Sequence, residues 1–336
     1  MFRYLLLRLT WIIFVVLGVV TLTFFISRVI PADPARLAAG LNAGPEQVAE
    51  VKRSLGLDQP VYVQYQRYMA GLLQFDLGRS IQTRQPVWDD IKLAFPATLE
   101  LVIFSFTIYV ILGLGIGVVW AVWPDSVAAL LARVVSAIGA AVPIFWIGLV
   151  FQLVFGTQLG WLPIAGRLDL AALPPPHVTG FYTIDTLLAG DTALFRDALL
   201  HLFLPVASLV LSLLALAARL TQAAVREELK KGYVRTARSK GLSEGAVLRS
   251  HVLKNALNPV LTMLGLQFGW LLGGTILVEA VFSWPGIGLY AFESFKTFDY
   301  APIQALTLLI TFVFVFVNLL VDLTYPVLDP RLRQST

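Results

Sequence analysis

The sequence predicts an all-α membrane protein with six transmembrane helices. Hydrophobic residues make up 57% of the 336 residues and charged residues only 14%, against roughly 25% charged residues in ordinary soluble domains. The mean hydropathy of +0.77 agrees with this assignment. A membrane-spanning helix needs about 20 mostly apolar residues, and the chain offers charge-free windows of this kind at Leu9–Ser27, Leu101–Trp123, Val134–Gly166, Ala198–Ala218, Asn255–Val278 and Tyr300–Val321.

The first window lies at the N-terminus, where Arg3 and Arg8 precede it. Its length exceeds the roughly 7–15 apolar residues of a cleavable signal peptide. We therefore predict that residues 1–30 contain an uncleaved first transmembrane helix with a cytoplasmic N-terminus. Six spans return the C-terminus to the same side, where Arg331 and Arg333 match the two N-terminal arginines.

Residues 31–95, called the lobe, are predicted to lie outside the cytoplasm. They carry seven basic and seven acidic residues, and loops longer than about 60 residues cross the membrane largely regardless of their charge. Pro45 begins a helical stretch over Glu46 to Leu55, which Gly56 ends as a C-cap. A second helical stretch follows from Val61 to Phe75.

Residues 96–336 form the predicted permease core, with three functional segments between its spans. These are an outer loop (157–197), a cytoplasmic coupling loop (219–257) and an outer gate segment (279–299). The third window is longer than one span, so we expect its crossing to end near Gly156. Pro143 and Pro205 should kink their helices or free backbone groups toward a cavity.

Glycines spaced four residues apart predict close helix packing inside the membrane. Small residues at this spacing allow two helix backbones to approach each other. The pattern occurs in the second span at Gly113 and Gly117, and more strongly in the fifth span at Gly265, Gly269 and Gly273.

The coupling loop holds most of the positive charge. From Arg219 to Lys254 there are nine basic residues against three acidic ones, a net charge of +6, whereas the whole chain carries +4. Short basic loops beside spanning helices stay in the cytoplasm. The loop is therefore a cytoplasmic surface suited to docking a partner protein.

Within this loop, Tyr233 to Leu242 resembles the pattern Tyr-x-Arg-Thr-Ala-Arg-x-Lys-Gly-Leu of ABC-importer permeases that move dipeptides, oligopeptides and nickel. The corresponding loop of the wider permease family, the EAA loop, shares with this chain only Ala237, Gly241 and Leu253. Arg235 stands where that wider pattern has glutamate. The resemblance implies two short helices with Gly241 at the bend.

Other segments resemble the same branch in order and spacing, so the resemblance covers nearly the whole chain. It implies the type I ABC importer permease fold with an extracytoplasmic lobe after the first helix. The matching segments are Ile30–Pro34, Leu55–Pro60, Asp76–Ser80, Pro96–Leu101 at the opening of the second helix, Phe282–Gly288, Asn318–Leu323 and Asp329–Arg331.

The resemblance also implies the partners and the location. We expect a second homologous permease subunit, two ATPase subunits that bind ATP and Mg, an extracytoplasmic substrate-binding protein and membrane lipid, with no nucleic acid. The chain would be a multi-pass subunit of a prokaryotic inner (plasma) membrane. It lacks the sequence Gly-x-x-x-x-Gly-Lys-Ser/Thr and contains no cysteine, so we predict neither an enzyme nor a cofactor or metal site in this chain.

Two groups of residues are the predicted functional sites. Charges at the ends of spans, namely Arg28, Glu100, Glu279 and Asp322, are read mainly as interfacial anchors, with Glu279 the best candidate for a role at the gate. The indole of Trp284 is expected at the membrane interface. The ATPase-coupling residues are Tyr233, Arg235, Thr236, Ala237, Arg238, Lys240, Gly241, Leu242 and Leu253, and the outer gate residues are Glu279, Phe282, Trp284, Pro285 and Gly286.

Three alternatives are open at this point. The same machinery serves nickel chelates, glutathione or oligosaccharides in other members of the branch. A stand-alone secondary transporter would need inverted repeats and ionisable groups at the membrane midplane, and the sequence has neither. An intramembrane hydrolase would need a His-Glu-x-x-His motif, an Asp pair or a Ser/His constellation inside the spans, none of which is present.

Overall fold

The computed structural model describes residues 2–29, 34–40, 43–54 and 56–328. Within these ranges the regular structure is helical, which confirms the all-α prediction. Two π-helical turns, Gln152–Gln158 and Leu248–Val252, continue or precede neighbouring helices. The helices are α1 (Phe2–Val29), α2 (Pro34–Ala39), α3 (Pro45–Ser54), α4 (Val61–Leu73), α5 (Val87–Val122), α6 (Val127–Ala141), α7 (Ile144–Phe151), α8 (Tyr182–Leu188), α9 (Thr192–Leu229), α10 (Gly232–Ser239), α11 (Glu244–Val247), α12 (Leu253–Val281), α13 (Ile287–Lys296) and α14 (Tyr300–Leu328).

Among the described residues, the five helices α1, α5, α9, α12 and α14 are long and apolar enough to cross a membrane. The third predicted span is instead a broken pair, α6 with α7 and its π-turn, bent by 109°. The break falls at Val142, whose extended backbone (φ −100°, ψ 132°) is the conformation favoured before a proline. Pro143 thus interrupts its span, whereas Pro205 lies inside the uninterrupted helix α9.

The second helix begins earlier than the sequence indicated. α5 starts at Val87 and carries Pro96 in its interior, so the Pro96–Leu101 segment does not open the helix. The two helices predicted for the lobe are present as α3 and α4, and Gly56 has a φ of 64°. Ile30–Asp33, Leu55, Asp329–Arg331 and Arg333 lie outside the described residues.

The chain divides into two compact units, and the first comprises residues 1–98 and 285–315. In this unit the lobe packs on α1. The Phe24 ring lies 5.3 Å from that of Tyr65 and 5.5 Å from that of Tyr68. Burial, with a contribution from Tyr65, raises the pKa of Tyr68 to about 12. A buried apolar cluster formed by Val87, Ile91, Ile287, Ala291, Ala305 and Leu306 joins α5, α13 and α14.

A second contact in the same unit is polar. The buried carboxylate of Asp299 accepts hydrogen bonds from the Ser80 hydroxyl (2.7 Å) and from the backbone N–H groups of Ile81 (2.7 Å) and Gln82 (3.2 Å). Asp299 directly precedes α14, so one carboxylate holds the turn before α5 against the start of α14.

The second unit comprises residues 99–284 and 316–336, with α9 at its centre. α9 packs against α6, α7, α8 and α12. A Cβ atom at Gly113 would lie 2.4 Å from the Cβ of Ala217, and one at Gly117 would lie 2.4 Å from the Cβ of Thr221. The glycine pair of the second span therefore permits a close approach to α9. In the fifth span a Cβ at Gly273 would meet nothing within 4 Å, so that glycine makes no close helix contact within this chain.

Candidate functional site

The coupling loop forms a tight bend between two short helices. α10 and α11 are joined through Gly241, whose φ is +80°. The N–H of Gly241 donates to the carbonyl of Arg238 (2.9 Å), and the N–H of Leu242 donates to that of Ala237 (3.4 Å). A Cβ at Gly241 would meet nothing within 4 Å. Glycine is therefore favoured here by the left-handed backbone, which costs other residues energy, and not by crowding.

The inner face of this bend is apolar and buried. Ala237 and Val234 of α10 pack with Val247 of α11 on a cluster that reaches the ends of three long helices. Leu253, which is half-buried, also packs against it. Ala237 and Leu253 therefore belong to the packed side of the loop and not to its exposed surface. The other buried members of this cluster are Ala121 of α5, Val225 of α9, Val252 and Ala256.

Polar contacts hold the start of α10. The hydroxyl of Tyr233 donates to the carboxylate of Glu228, and Lys231 binds the same carboxylate at 2.5 Å. Asn255 of α12 donates to the Tyr233 oxygen (3.2 Å) and to the carbonyl of His251 (2.9 Å). Burial and the bond to Glu228 raise the pKa of Tyr233. Tyr233 thus anchors the loop to α9 and α12, and sequence reasoning missed its partners Glu228 and Asn255.

The outer face of the bend is exposed and cationic. Arg238 pairs with Glu244 through two bonds of 2.7 and 2.9 Å, which link α10 to α11 across the bend. Within the described ranges, neither Arg235 nor Lys240 forms an ion pair, and both side chains are exposed. Leu242 is 37% exposed beside them. This face offers two uncompensated positive charges and one apolar side chain to a partner.

The remaining predicted coupling residue, Thr236, is also on the exposed side. Its hydroxyl donates to the carbonyl of Gly232 at 3.2 Å, within α10. The structure thus separates the predicted coupling residues by position. Three hold or pack the loop (Tyr233, Ala237 and Leu253), and six lie on its exposed face (Arg235, Thr236, Arg238, Lys240, Gly241 and Leu242).

The gate segment is buried where it leaves α12. Glu279, Phe282 and Trp284 are at most 1% exposed. Ser283 has a φ of +47°, and the N–H of Trp284 donates to the carbonyl of Glu279 (2.9 Å), which closes a turn. The side chains of Trp284 and Glu279 are therefore enclosed by protein, and the Trp284 indole is not exposed as an interfacial anchor would be.

Pro285 and Gly286 begin the part of the gate segment that belongs to the first unit. Pro285 is exposed, while Gly286 is buried and directly precedes α13. The N–H of Ile287 in α13 donates to the Thr98 hydroxyl at 2.8 Å. The start of α13 is thereby fixed to α5 within that unit.

A buried ion pair between α5 and the outer loop was not predicted. Arg167 binds Glu100 at 2.5 Å, and the two side chains are 5% and 1% exposed. Arg167 also donates to the carbonyl of Gly180 (2.8 Å), and Glu100 accepts from the N–H and hydroxyl of Thr183 (2.8 and 2.6 Å). Glu100 is therefore not an interfacial anchor. The available signal was an acidic residue at the edge of one apolar window and a basic residue just after another.

The outer loop has a second buried carboxylate of its own, Asp185 in α8. It accepts hydrogen bonds from the hydroxyl and N–H of Thr179 (2.7 and 2.8 Å) and from the N–H groups of Gly180 (2.9 Å) and Val178 (3.3 Å). Burial alone would raise the pKa of Asp185, but these hydrogen bonds outweigh it and lower the pKa. The loop is therefore held in one conformation by the ionised carboxylate of Asp185.

Comparison with known proteins assigns both parts of the chain to transport-system membrane components. Residues 113–334 match the family described as binding-protein-dependent transport system inner membrane component, and residues 1–102 match the N-terminal family of the same systems. The probable D,D-dipeptide transport system permease protein of Escherichia coli strain K12 is 42% identical over 96% of this chain and 95% of its own length.

Two further relatives align over nearly their whole length. The dipeptide transport system permease protein of Alkalihalophilus pseudofirmus is 41% identical over 99% of this chain and 100% of its own length. The glutathione transport system permease protein of Pectobacterium atrosepticum is 38% identical over 99% of both chains.

Proposed function

This chain belongs to the family of binding-protein-dependent transport system inner membrane components, and we propose that it forms half of a translocation pathway for di- or oligopeptides. The observation that carries the cargo class is the near full-length similarity to dipeptide permeases at 41–42% identity. The chain is a multi-pass inner membrane subunit of an ABC importer. Such an importer works with ATPase subunits and a binding protein. We further propose that its partner in the membrane is a second, homologous permease. Both termini of this chain are proposed to lie in the cytoplasm.

The proposed role of the coupling loop is to receive the motion of the ATPase. Its exposed face carries Arg235, Lys240 and Leu242, which suits a cleft with acidic and apolar groups. Its buried face packs on the ends of α5, α9 and α12. Closure of the ATPase around the exposed face would therefore displace these helices together.

The proposed role of the gate segment is to close the pathway on the extracytoplasmic side. Support comes from the enclosed side chains of Phe282 and Trp284 and from the turn at Ser283. Because these side chains are fully packed, the turn has one defined closed position, and opening the pathway would require it to leave that position. Cargo selection would rest largely with the binding protein, since this chain offers few polar groups in its spans.

Glutathione is the second candidate cargo, favoured by the 38% identity to a glutathione permease. A single reconstitution separates the candidates. The chain is assembled in proteoliposomes with the second permease and ATPases encoded beside it, and with the neighbouring binding protein. We expect ATP-dependent uptake of a radiolabelled dipeptide that unlabelled glutathione does not inhibit. Uptake of glutathione alone would replace the proposed cargo, and uptake without ATP would favour a secondary transporter.

A further inference from the structure

The outer loop is bonded directly to the gate segment inside the second unit. The N–H of Gly166 donates to the carbonyl of Phe282 at 2.9 Å. The side-chain amide of Gln152 donates to the carbonyls of Val281 (2.9 Å) and Ile164 (2.7 Å). The loop thus binds the gate turn directly at Phe282, and Gln152, in the π-turn before the loop, links Ile164 of the loop to Val281 at the end of α12.

Arg167, the residue after Gly166, occupies the centre of this contact. Its guanidinium carbon lies 3.6 Å from the centroid of the Tyr182 ring and 5.6 Å from that of Trp284. The same guanidinium binds Glu100 of α5 and the carbonyl of Gly180. One side chain therefore touches the second span, two positions of the outer loop and the gate tryptophan.

The Arg167–Glu100 pair is too deeply buried to open easily. Removing one partner of a buried pair leaves an uncompensated charge in a medium of low dielectric constant, which is strongly unfavourable. The Glu100 carboxylate is also held by Thr183 of the same loop. A displacement of the outer loop would therefore carry the pair along intact, together with the groups packed on it.

We propose that Arg167 is a positioning residue of the outer gate, which makes the outer loop and the gate turn move as one body. A displacement of residues 168–183 would reach Phe282 and Trp284 through Arg167 and Gly166. This inference rests on the proposed function, because it assumes that the gate segment opens during transport. It assigns to Arg167 a role in coupling that is separate from simple neutralisation of Glu100.

The test uses a pair of variants that distinguishes positioning from charge balance. Arg167→Met alone leaves the buried Glu100 carboxylate without its cationic partner and should impair assembly. The double variant Arg167→Met with Glu100→Gln contains no stranded charge, and the glutamine oxygen can still accept the bonds from Thr183. We expect the double variant to restore assembly with the partner subunits. It should nevertheless lose stimulation of ATPase activity by loaded binding protein.

Two single variants complete the design. Arg196→Met removes an exposed arginine near the end of the outer loop, and it should behave as wild type. Arg167→Lys keeps the charge but not the planar group that stacks on Tyr182 and binds two acceptors. Arg167→Lys should assemble normally and show only part of the wild-type stimulation of ATPase activity by binding protein. If the double variant assembles poorly, this variant distinguishes positioning from charge balance.

The outcomes separate the inference from the proposed function. If the double variant shows wild-type stimulation, Arg167 has only a structural role. The same conclusion follows from wild-type stimulation in Arg167→Lys when the double variant fails to assemble. Loss of stimulation at normal assembly supports positioning. Absence of stimulation in the wild-type complex would instead reject the proposed function, because the assembly would then not respond to a binding protein at all.

Discussion

Replacing Gly241 by valine is expected to uncouple ATP hydrolysis from uptake while the protein still inserts in the membrane. The residue has a φ of +80°, a conformation that costs an L-amino acid roughly 1–2 kcal/mol and is a genuine outlier for a β-branched side chain. No atom lies within 4 Å of the position that a Cβ would take. The whole penalty is therefore conformational, and it acts on the bend alone.

Few interactions stabilise the bend against the strain that valine would introduce. α11 contains four residues, and the hydrogen bond from Leu242 to Ala237 is long at 3.4 Å. A rearranged bend would displace the exposed side chains of Lys240 and Leu242 relative to Arg235. α9 and α12 also pack against each other outside the loop, so the membrane portion should keep its stability.

The assay is ATP-driven uptake and binding-protein-stimulated ATPase activity of the reconstituted complex. Gly241→Asn is the matched variant, since asparagine adopts left-handed backbone more readily than other residues, and it should retain most of the coupling. Gly245→Ala, at a helical glycine with open space around it, should match wild type. Wild-type uptake in Gly241→Val would refute the reasoning, as would an equal loss in all three variants.

Three other predictions concern the topology, the gate and the outer loop. A cysteine in place of the exposed Gln82 should react with an impermeant thiol reagent in intact spheroplasts. A cysteine in place of Lys240 should react only after permeabilisation. The reverse pattern would contradict the predicted orientation of the chain in the membrane. Glu279→Ala or Trp284→Ala should raise basal ATPase activity or abolish its stimulation with little loss of assembly, and unchanged rates in both would end the gate hypothesis. Hydrogen bonds lower the pKa of Asp185 despite burial, so its contribution to stability is complete above about pH 4 and is lost as the pH falls through its lower folded pKa. Proteolysis of the outer loop should therefore accelerate only in strong acid, and Asp185→Asn should make it fast at pH 7.

Local features were predictable because their cause lies in neighbouring residues. The lobe helices follow from Pro45 and Gly56, whereas the bend at Gly241 was implied by the resemblance of Tyr233–Leu242 to the permease loop. Proline alone was ambiguous. Pro143 ends a helix whereas Pro205 does not, because the surrounding packing decides whether the freed backbone groups are satisfied.

Contacts between distant segments were not predictable. Arg167 and Glu100 are 67 residues apart, and nothing in either local sequence identifies the other as its partner. A charge at the edge of an apolar window was interpreted as reaching water, which is the ordinary case. Both charges are buried because the outer loop packs against α5 at Glu100. The same reason explains why Glu228 and Asn255 were missed as partners of Tyr233.

The placement of these contacts indicates how motion would pass through the second unit. α12 begins at Leu253 in the coupling loop and ends at Val281 beside the gate turn. Pro259 lies close to its start, and a proline removes one backbone hydrogen bond of a helix. From Pro259 to Val281 the helix has 23 residues, a length of about 34 Å.

Bending of α12 is therefore easiest next to the coupling loop. The rest of the helix would transmit a displacement as a rod whose far end is held by Gly166 and Gln152. A push at the coupling loop would then arrive at the gate as a movement of the turn and outer loop together, which is why the two ends of this helix should respond to substitution in the same assay.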